Sequence, residues 1–222
     1  MQRATRPFAV YIHYPYCSSL CKYAVLCSSP TNSVYCSYCN FNKYVAKKED
    51  INTARLEEAY ITAIDRALGL LLDAQDRPVQ SVYFGGGTPS LAPPRLIGSI
   101  VDHVLSRCKT ETPGPIEVTL EANPGSAAER ARLHDYRAAG VNRLSLGVQS
   151  LRDDALVRLG RRHTVKDARD AWTLACSLFP GRTSLDLMWG RPGQTLRDWR
   201  GELAVWCYII SGVVPCSRVH AH

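Results

Sequence analysis

Residues 79–105 read VQSVYFGGGTPSLAPPRLIGSIVDHVL. The run Val79–Phe84 is short, rich in β-branched and aromatic residues, and stops at three consecutive glycines, as a buried strand does. Downstream, Leu96, Ile97, Ile100, Val101, Val104 and Leu105 recur at helical spacing and make one apolar stripe. The unit is a strand, a glycine-rich turn and an amphipathic helix.

The same unit recurs along the chain. Phe8–His13, Ile116–Glu121, Arg143–Val148 and Thr183–Met188 are further short apolar runs bounded by Pro, Gly or Asn. Helical patterns lie between them, one carried by Leu56, Tyr60, Ile64, Ala67 and Leu71. Ser126 with Glu129 reads as a capping box, with Gly140 as the stop of that helix. Ser150 with Asp153, Thr164 with Asp167 and Thr195 with Asp198 repeat the theme with a shorter acid. Strands each followed by a helix pair in parallel through crossovers. The expected class is α/β, a partial or complete parallel β/α barrel, with a doubly wound open sheet as the alternative.

The 222 residues, 45% of them hydrophobic, suffice for an ordinary core. Net charge is +7, but the basic residues are scattered, without a Lys/Arg run or an aromatic-interleaved stripe, and nucleic acid is not an expected partner. The apolar run 205–214 falls short of the ~20 residues of a membrane span. No acidic residue precedes Glu49, whereas Arg3, Arg6, Lys22, Lys43, Lys47 and Lys48 do. An acid-poor, Arg-containing start suits a mitochondrial transit segment. A mitochondrial location is expected, with the cytoplasm as the alternative.

In β/α barrels chemistry gathers at the C-terminal ends of the strands, and several polar features fall there. Gly85-Gly86-Gly87-Thr88-Pro89 follows the second strand, Glu121 closes the third, Gln149 follows the fourth and Asp186 lies within the fifth. Glycines let a ligand approach backbone N–H groups. A carboxylate on a buried strand needs a partner. Flanked by Leu185 and Leu187, Asp186 faces away from both, toward a lumen or toward solvent. Tyr11 and His13 share one face of the first strand. The default reading of His13 is a hydrogen-bonded core histidine.

Five of the nine cysteines, Cys17, Cys21, Cys27, Cys36 and Cys39, lie within residues 17–39, in a chain that spreads the others thinly. Such density argues for metal chemistry. Cys-x3-Cys and Cys-x2-Cys separated by fourteen residues suit a tetrahedral structural zinc. Three thiolates on a [4Fe–4S] cluster with one open iron are the alternative, and Tyr38 and Phe41 are placed to shield such a cluster from water.

Tyr11-x-His13-x-Pro15-Tyr16-Cys17, Cys36-x2-Cys39-Asn-Phe41, Gly-Gly-Gly-Thr-Pro-Ser, Leu-Glu-Ala-Asn-Pro, Gly-Val-Asn-Arg-Leu-Ser-Leu-Gly-Val-Gln-Ser and Leu-Asp-Leu-Met occur in that order. Together they resemble radical S-adenosylmethionine (SAM) proteins of the oxygen-independent coproporphyrinogen III oxidase group, and within it the haem-chaperone branch. The resemblance runs over about residues 8–202. It implies a [4Fe–4S] cluster on Cys17, Cys36 and Cys39, with SAM bound to the open iron and cleaved on reduction to methionine and a 5′-deoxyadenosyl radical. By matching motifs, Tyr11, Gly86, Gly87, Thr88, Glu121, Gln149, Arg161 and Asp186 would line the SAM site. The oxidases carry a further cysteine where this chain has Phe41, which argues against coproporphyrinogen oxidase activity. The branch implies haem, or a haem-accepting protein, as partner.

Two departures accompany the resemblance. Eighteen residues separate Cys17 from Cys36, where the family has three. By polymer scaling the longer loop costs only about 1.6 kcal/mol, against metal-site formation on the order of 10 kcal/mol. Cys21 also stands at the family distance from Cys17 and competes with Cys36. After about Leu203 the likeness ends. The expected organisation is an N-terminal tail 1–7, a core 8–202 with an insertion at about 18–35, and a non-family tail 203–222, without the last strand and C-terminal domain of the family. On that reading the chain is an impaired or incomplete form. An inert product, or a non-catalytic module with a four-cysteine structural zinc site, is the alternative.

Overall fold

Alternation along the strands organises the chain. The computed structural model describes residues 7–18, 43–45, 47–70, 77–109, 114–125, 127–211 and 219–221. Five principal strands form, β1 (Phe8–Tyr14), β4 (Val79–Gly86), β5 (Glu117–Ala122), β6 (Arg143–Gln149) and β7 (Thr183–Leu187). Between β1 and β4, the two-residue strands β2 (Tyr16–Cys17) and β3 (Tyr44–Val45) pair with each other in parallel.

In the main sheet every pairing is parallel, and the strands lie in chain order, β1-β4-β5-β6-β7. A doubly wound sheet reverses direction at a switch point and carries helices on both faces. Unbroken chain order keeps successive crossovers of one hand on one face. That is the order of a partial barrel, and it leaves the concave face to whatever the strands point at it.

Residues of one phase face the helices. Ile12, Tyr14, Val82, Phe84, Val118, Leu120, Leu144, Leu146, Leu185 and Leu187 are each at most 4% exposed and belong to one core. Each large aliphatic side chain buried there contributes roughly 1.5–3 kcal/mol. The helices are α1 (Thr53–Leu70), α2 (Pro94–Arg107), α3 (Ala127–Ala138), α4 (Asp153–Arg158), α5 (Val165–Leu178) and α6 (Leu196–Ser211). In α2, Leu96, Ile97, Ile100, Val101 and Val104 are buried as the spacing required. In α1, Leu56, Tyr60 and Ile64 face the core, but Leu68 rather than Ala67 continues the stripe; Leu71 lies outside the described residues.

Two of the four expected acidic helix caps form, and one does not. Thr164 and Asp167 make a reciprocal capping box. Thr195 and Asp198 do the same for α6, with bonds of 3.0 and 3.1 Å. Gly140 adopts φ +95° at the end of α3, a conformation that costs glycine little. Ser126 lies outside the described residues. The exception is Ser150, which does not cap α4. Its hydroxyl donates 2.8 Å to Glu202 on α6, while Asp153 accepts from the Val165 amide at 2.8 Å.

At the far edge the reading without a sixth strand is corrected, because β8 (Val219–Ala221) pairs in parallel with β7. The boundary drawn at residue 203 falls inside α6. Beyond it Trp206 is 2% exposed and packs edge-on against Trp172, with ring centroids 4.6 Å apart. Among the described residues no helix is long and apolar enough to cross a membrane.

Burial also fixes the charge of one histidine. His163, between α4 and α5, places Nε2 3.2 Å from the Val148 carbonyl, and burial, aided by nearby Arg161, lowers its pKa from 6.5 to about 4. Between those values the unfolded chain protonates this imidazole while the folded chain keeps it neutral. Stability present above pH 6.5 is therefore lost on acidification toward pH 4, by on the order of 3 kcal/mol. Urea unfolding at pH 7 and pH 4.5 is expected to show this loss, and a much smaller one in His163→Gln. An equal loss in both proteins would remove His163 as its source.

Candidate functional site

The opposite phase of the same strands points to the concave face. Tyr11 aligns with Tyr83 and Thr119, Glu121 with Ser145 and Ser184, and Gly147 with Asp186. Two-residue periodicity adds His13 and Gly85 to this row. One side of each strand is therefore aliphatic, while the other carries hydroxyls, carboxylates, an imidazole and glycines.

At the C-terminal end of β4 the glycine turn folds back onto β1. The Gly87 amide donates 2.7 Å to the Tyr14 carbonyl, and the Thr88 amide 2.9 Å to that of Tyr16. A Cβ on Gly87 would stand 2.6 Å from the Tyr16 oxygen, so no other residue fits without moving backbone. Gly86 adopts φ +112°, and a Cβ there would stand 2.5 Å from the His13 ring. The turn thus presses against the segment carrying Cys17. That cysteine is buried, and the Thr88 hydroxyl donates to its sulfur at 3.6 Å.

Glu121 sits beside this turn. Its carboxylate accepts from the Tyr83 hydroxyl at 2.8 Å and from the Gly86 amide at 3.2 Å. Burial raises its pKa above the usual carboxylate range and the charge of Asp186 adds to the rise, while the two donors and His13 oppose it. Tyr83 titrates well above an ordinary tyrosine because it is buried and lies against that carboxylate. The Tyr11 ring stacks on Tyr83 at 5.9 Å and remains 53% exposed. On β7 Asp186 faces inward, which decides between the lumen and solvent that alternation left open. It accepts from the Ser145 hydroxyl at 3.3 Å, and Ser184 in turn donates to Ser145.

The loops above β5 and β6 meet at Arg161, whose guanidinium donates to Asn123 Oδ1 at 2.7 Å and to the Gly147 carbonyl. Gln149 ends β6 at φ +70°, the one non-glycine positive φ among the described residues. Left-handed backbone costs such a residue roughly 1–2 kcal/mol. The conformation brings its side-chain amide over Gly147, 3.2 Å from where a Cβ would stand, with Asn123 and Arg161 alongside.

The structure thus gathers Tyr11, Gly86, Gly87, Thr88, Glu121, Gln149, Arg161 and Asp186 at one end of the sheet, with Cys17 beneath the glycine turn. Cys36 and Cys39, with Cys21 and Cys27, lie outside the described residues. His13 is half-buried on the concave face rather than in the core. Sequence reasoning passed over Tyr83, Ser145, Ser184 and Asn123 as individual site residues. Continuing the Tyr11–His13 alternation onto each neighbouring strand would have found the first three. A separate concavity of about 430 Å³, touched by Gln80, Ile116, Glu117 and Arg182, lies at the opposite ends of the strands and includes none of these residues.

Residues 30–203 match the Radical SAM superfamily, and the chain belongs to that superfamily. Cys36 and Cys39 fall inside the matched span, and Cys17 precedes it. The chain is 42% identical over 212 residues to radical S-adenosyl methionine domain-containing protein 1, mitochondrial, of Bos taurus, covering 96% of this chain and 41% of that protein. It is 36% identical to the heme chaperone HemW of Escherichia coli, over 89% of this chain and 46% of that protein. The chain therefore spans less than half the length of either relative. In fold it is similar to the coproporphyrinogen III oxidase HemN of Escherichia coli, a radical SAM enzyme, with a TM-score of 0.74, 22% identity, and 99% of this chain and 44% of that one covered.

Replacing Tyr83 with Phe removes a donor that holds the Glu121 pKa down. The carboxyl resonance of Glu121, followed by NMR against pH, is expected to titrate at a higher pH in Tyr83→Phe than in the parent. An unchanged or lower midpoint would contradict the hydrogen bond.

Proposed function

We propose that this chain is a radical SAM domain that holds a [4Fe–4S] cluster on Cys17, Cys36 and Cys39 and binds SAM across the concave ends of β1 and β4–β7, within a core of residues 8–202. The observation that carries this reading is one polar row in which Glu121 bonds a turn too tight for any Cβ, Asp186 bonds Ser145, and Gln149 and Arg161 lie over Gly147. SAM presents an ammonium group, a carboxylate, ribose hydroxyls and an adenine. Carboxylates at Glu121 and Asp186 suit the ammonium and hydroxyl donors, Arg161 suits the carboxylate, and the bare backbone of Gly86 and Gly87 admits close approach. The stacked rings of Tyr11 and Tyr83 offer an apolar wall beside them.

The burial of Cys17 fits a thiolate ligand kept from bulk water. Pairing of Tyr16–Cys17 with Tyr44–Val45 holds the two ends of the intervening chain together, which offsets part of the closure entropy of the longer loop. Cluster and SAM, when bound, supply one-electron, hydrogen-abstracting chemistry. The protein's part is to seat them: the glycine turn after β4 fixes Cys17 against the SAM cradle, and Arg161 ties two loops over it.

Likeness to the heme chaperone HemW, together with Phe41 where the oxidase branch has a further cysteine, supports haem and a haem-accepting protein as the partners, rather than coproporphyrinogen oxidation. The mitochondrial relatives and the acid-poor start support a mitochondrial location.

Anaerobic reconstitution followed by metal and sulfide analysis tests the reading. About four irons and four sulfides per chain are expected, with most of the iron lost in Cys39→Ala and SAM bound only by the loaded parent. One zinc without sulfide would overturn the cluster and favour a zinc module held by four cysteines.

A further inference from the structure

A buried ion pair outside the proposed ligand shell reaches the site through Gln149. Arg191, in the loop after β7, and Glu202, on α6, are 8% and 3% exposed and bind each other directly. Glu202 Oε2 also accepts from the Ser150 hydroxyl at 2.8 Å and from the Leu151 amide at 2.9 Å. These are the two residues after Gln149. Its other oxygen also accepts from the Gln194 side chain at 3.3 Å. Nearer the surface, Arg152 bridges to Asp198 of the same helix at 2.7 Å.

Stability alone accounts poorly for this pair. Arg191 Nε and Nη1 are buried without a hydrogen-bond partner among the described residues. A buried pair with unsatisfied donors adds little over an apolar pair of the same volume. What it does determine is position. The Gln149 carbonyl accepts from the Met188 amide at 2.9 Å, so β7 fixes the residue on one side and Glu202 fixes it on the other. Between these two restraints the backbone keeps φ +70°, and the side-chain amide lies over Gly147 beside Arg161. Glu202 has taken the hydroxyl that the sequence offered as the α4 cap.

We propose that Glu202, anchored by Arg191, is a positioning residue: it clamps Ser150 and Leu151, holds Gln149 in its left-handed conformation, and thereby sets the affinity of the site for SAM. The ligand half of this inference rests on the SAM reading above. The clamp itself does not.

The test uses the full chain, reconstituted anaerobically, with SAM affinity measured by calorimetry, backbone exchange of Leu151 by NMR, and thermal unfolding. Glu202→Ala is expected to weaken SAM at least tenfold and to speed Leu151 exchange at least tenfold, with iron and sulfide content unchanged. Glu202→Gln keeps an oxygen for Ser150 and Leu151 but leaves Arg191 unpaired. It is expected to lose thermal stability while binding SAM within about threefold of the parent. A purely structural role would instead make affinity follow stability in both variants, which overturns the proposal. Ser150→Ala, which removes one hydroxyl, carries the test should Glu202→Ala fail to fold. It is expected to weaken SAM about threefold, and unchanged affinity overturns the proposal. If the loaded parent binds no SAM, the SAM reading fails and the ligand half with it. Leu151 exchange then decides the clamp, and unchanged protection in Glu202→Ala or Ser150→Ala overturns that too.

Discussion

Everything at the site depends on one constraint. A parallel sheet in chain order has its helices on one face, so alternate residues of every strand are committed to the core and the rest to the concavity. Ile12, Phe84, Leu120, Leu146 and Leu187 fill the first role, and Tyr11, Tyr83, Glu121, Ser145 and Asp186 the second. A shift of one residue in β5 or β7 would turn a carboxylate into the core and a leucine toward the concavity. Register is therefore enforced by the core, and the geometry of the polar row follows from it without further specification.

Onto that row the loops add what strands cannot supply. The glycine turn after β4 packs so closely on Tyr14 and Tyr16 that Cys17 and the residues near Glu121 become one unit. Arg161, in the loop after α4, and Gln149, at the end of β6, are brought over Gly147 by a guanidinium bridge and a left-handed backbone. Glu121 holds its charge unfavourably, first because it is buried and then because Asp186 lies near, and both raise its pKa. A ligand that brings cationic or hydroxyl donors relieves it.

Much of this was legible in the sequence. The five strands, the α2 stripe and two of the acidic caps are local patterns, fixed by residues a few positions apart, and each formed as its pattern required. That Asp186 faces away from Leu185 and Leu187 followed from alternation alone, whereas its place on the concave face came with the neighbouring strand. What escaped was set by partners distant in the chain. Ser150 carried a correct capping signal, yet Glu202, fifty-two residues later, offered a buried acceptor and took it. Tyr83 looked like any aromatic strand residue until β5 brought Glu121 beside it. The short β8 has three residues and little pattern of its own, and pairs with β7 by position.

The central claim, that the polar ends of β1 and β4–β7 form the SAM site of a cluster-bearing domain, is tested most directly by a crystal structure of the anaerobically reconstituted chain soaked with SAM. The account predicts a cubane of iron and sulfide on Cys17, Cys36 and Cys39, with SAM over Gly86 and Gly87 and within reach of Glu121, Gln149, Arg161 and Asp186. A single tetrahedral metal on four cysteines, or SAM bound at the opposite ends of the strands beside Gln80 and Arg182, would contradict it.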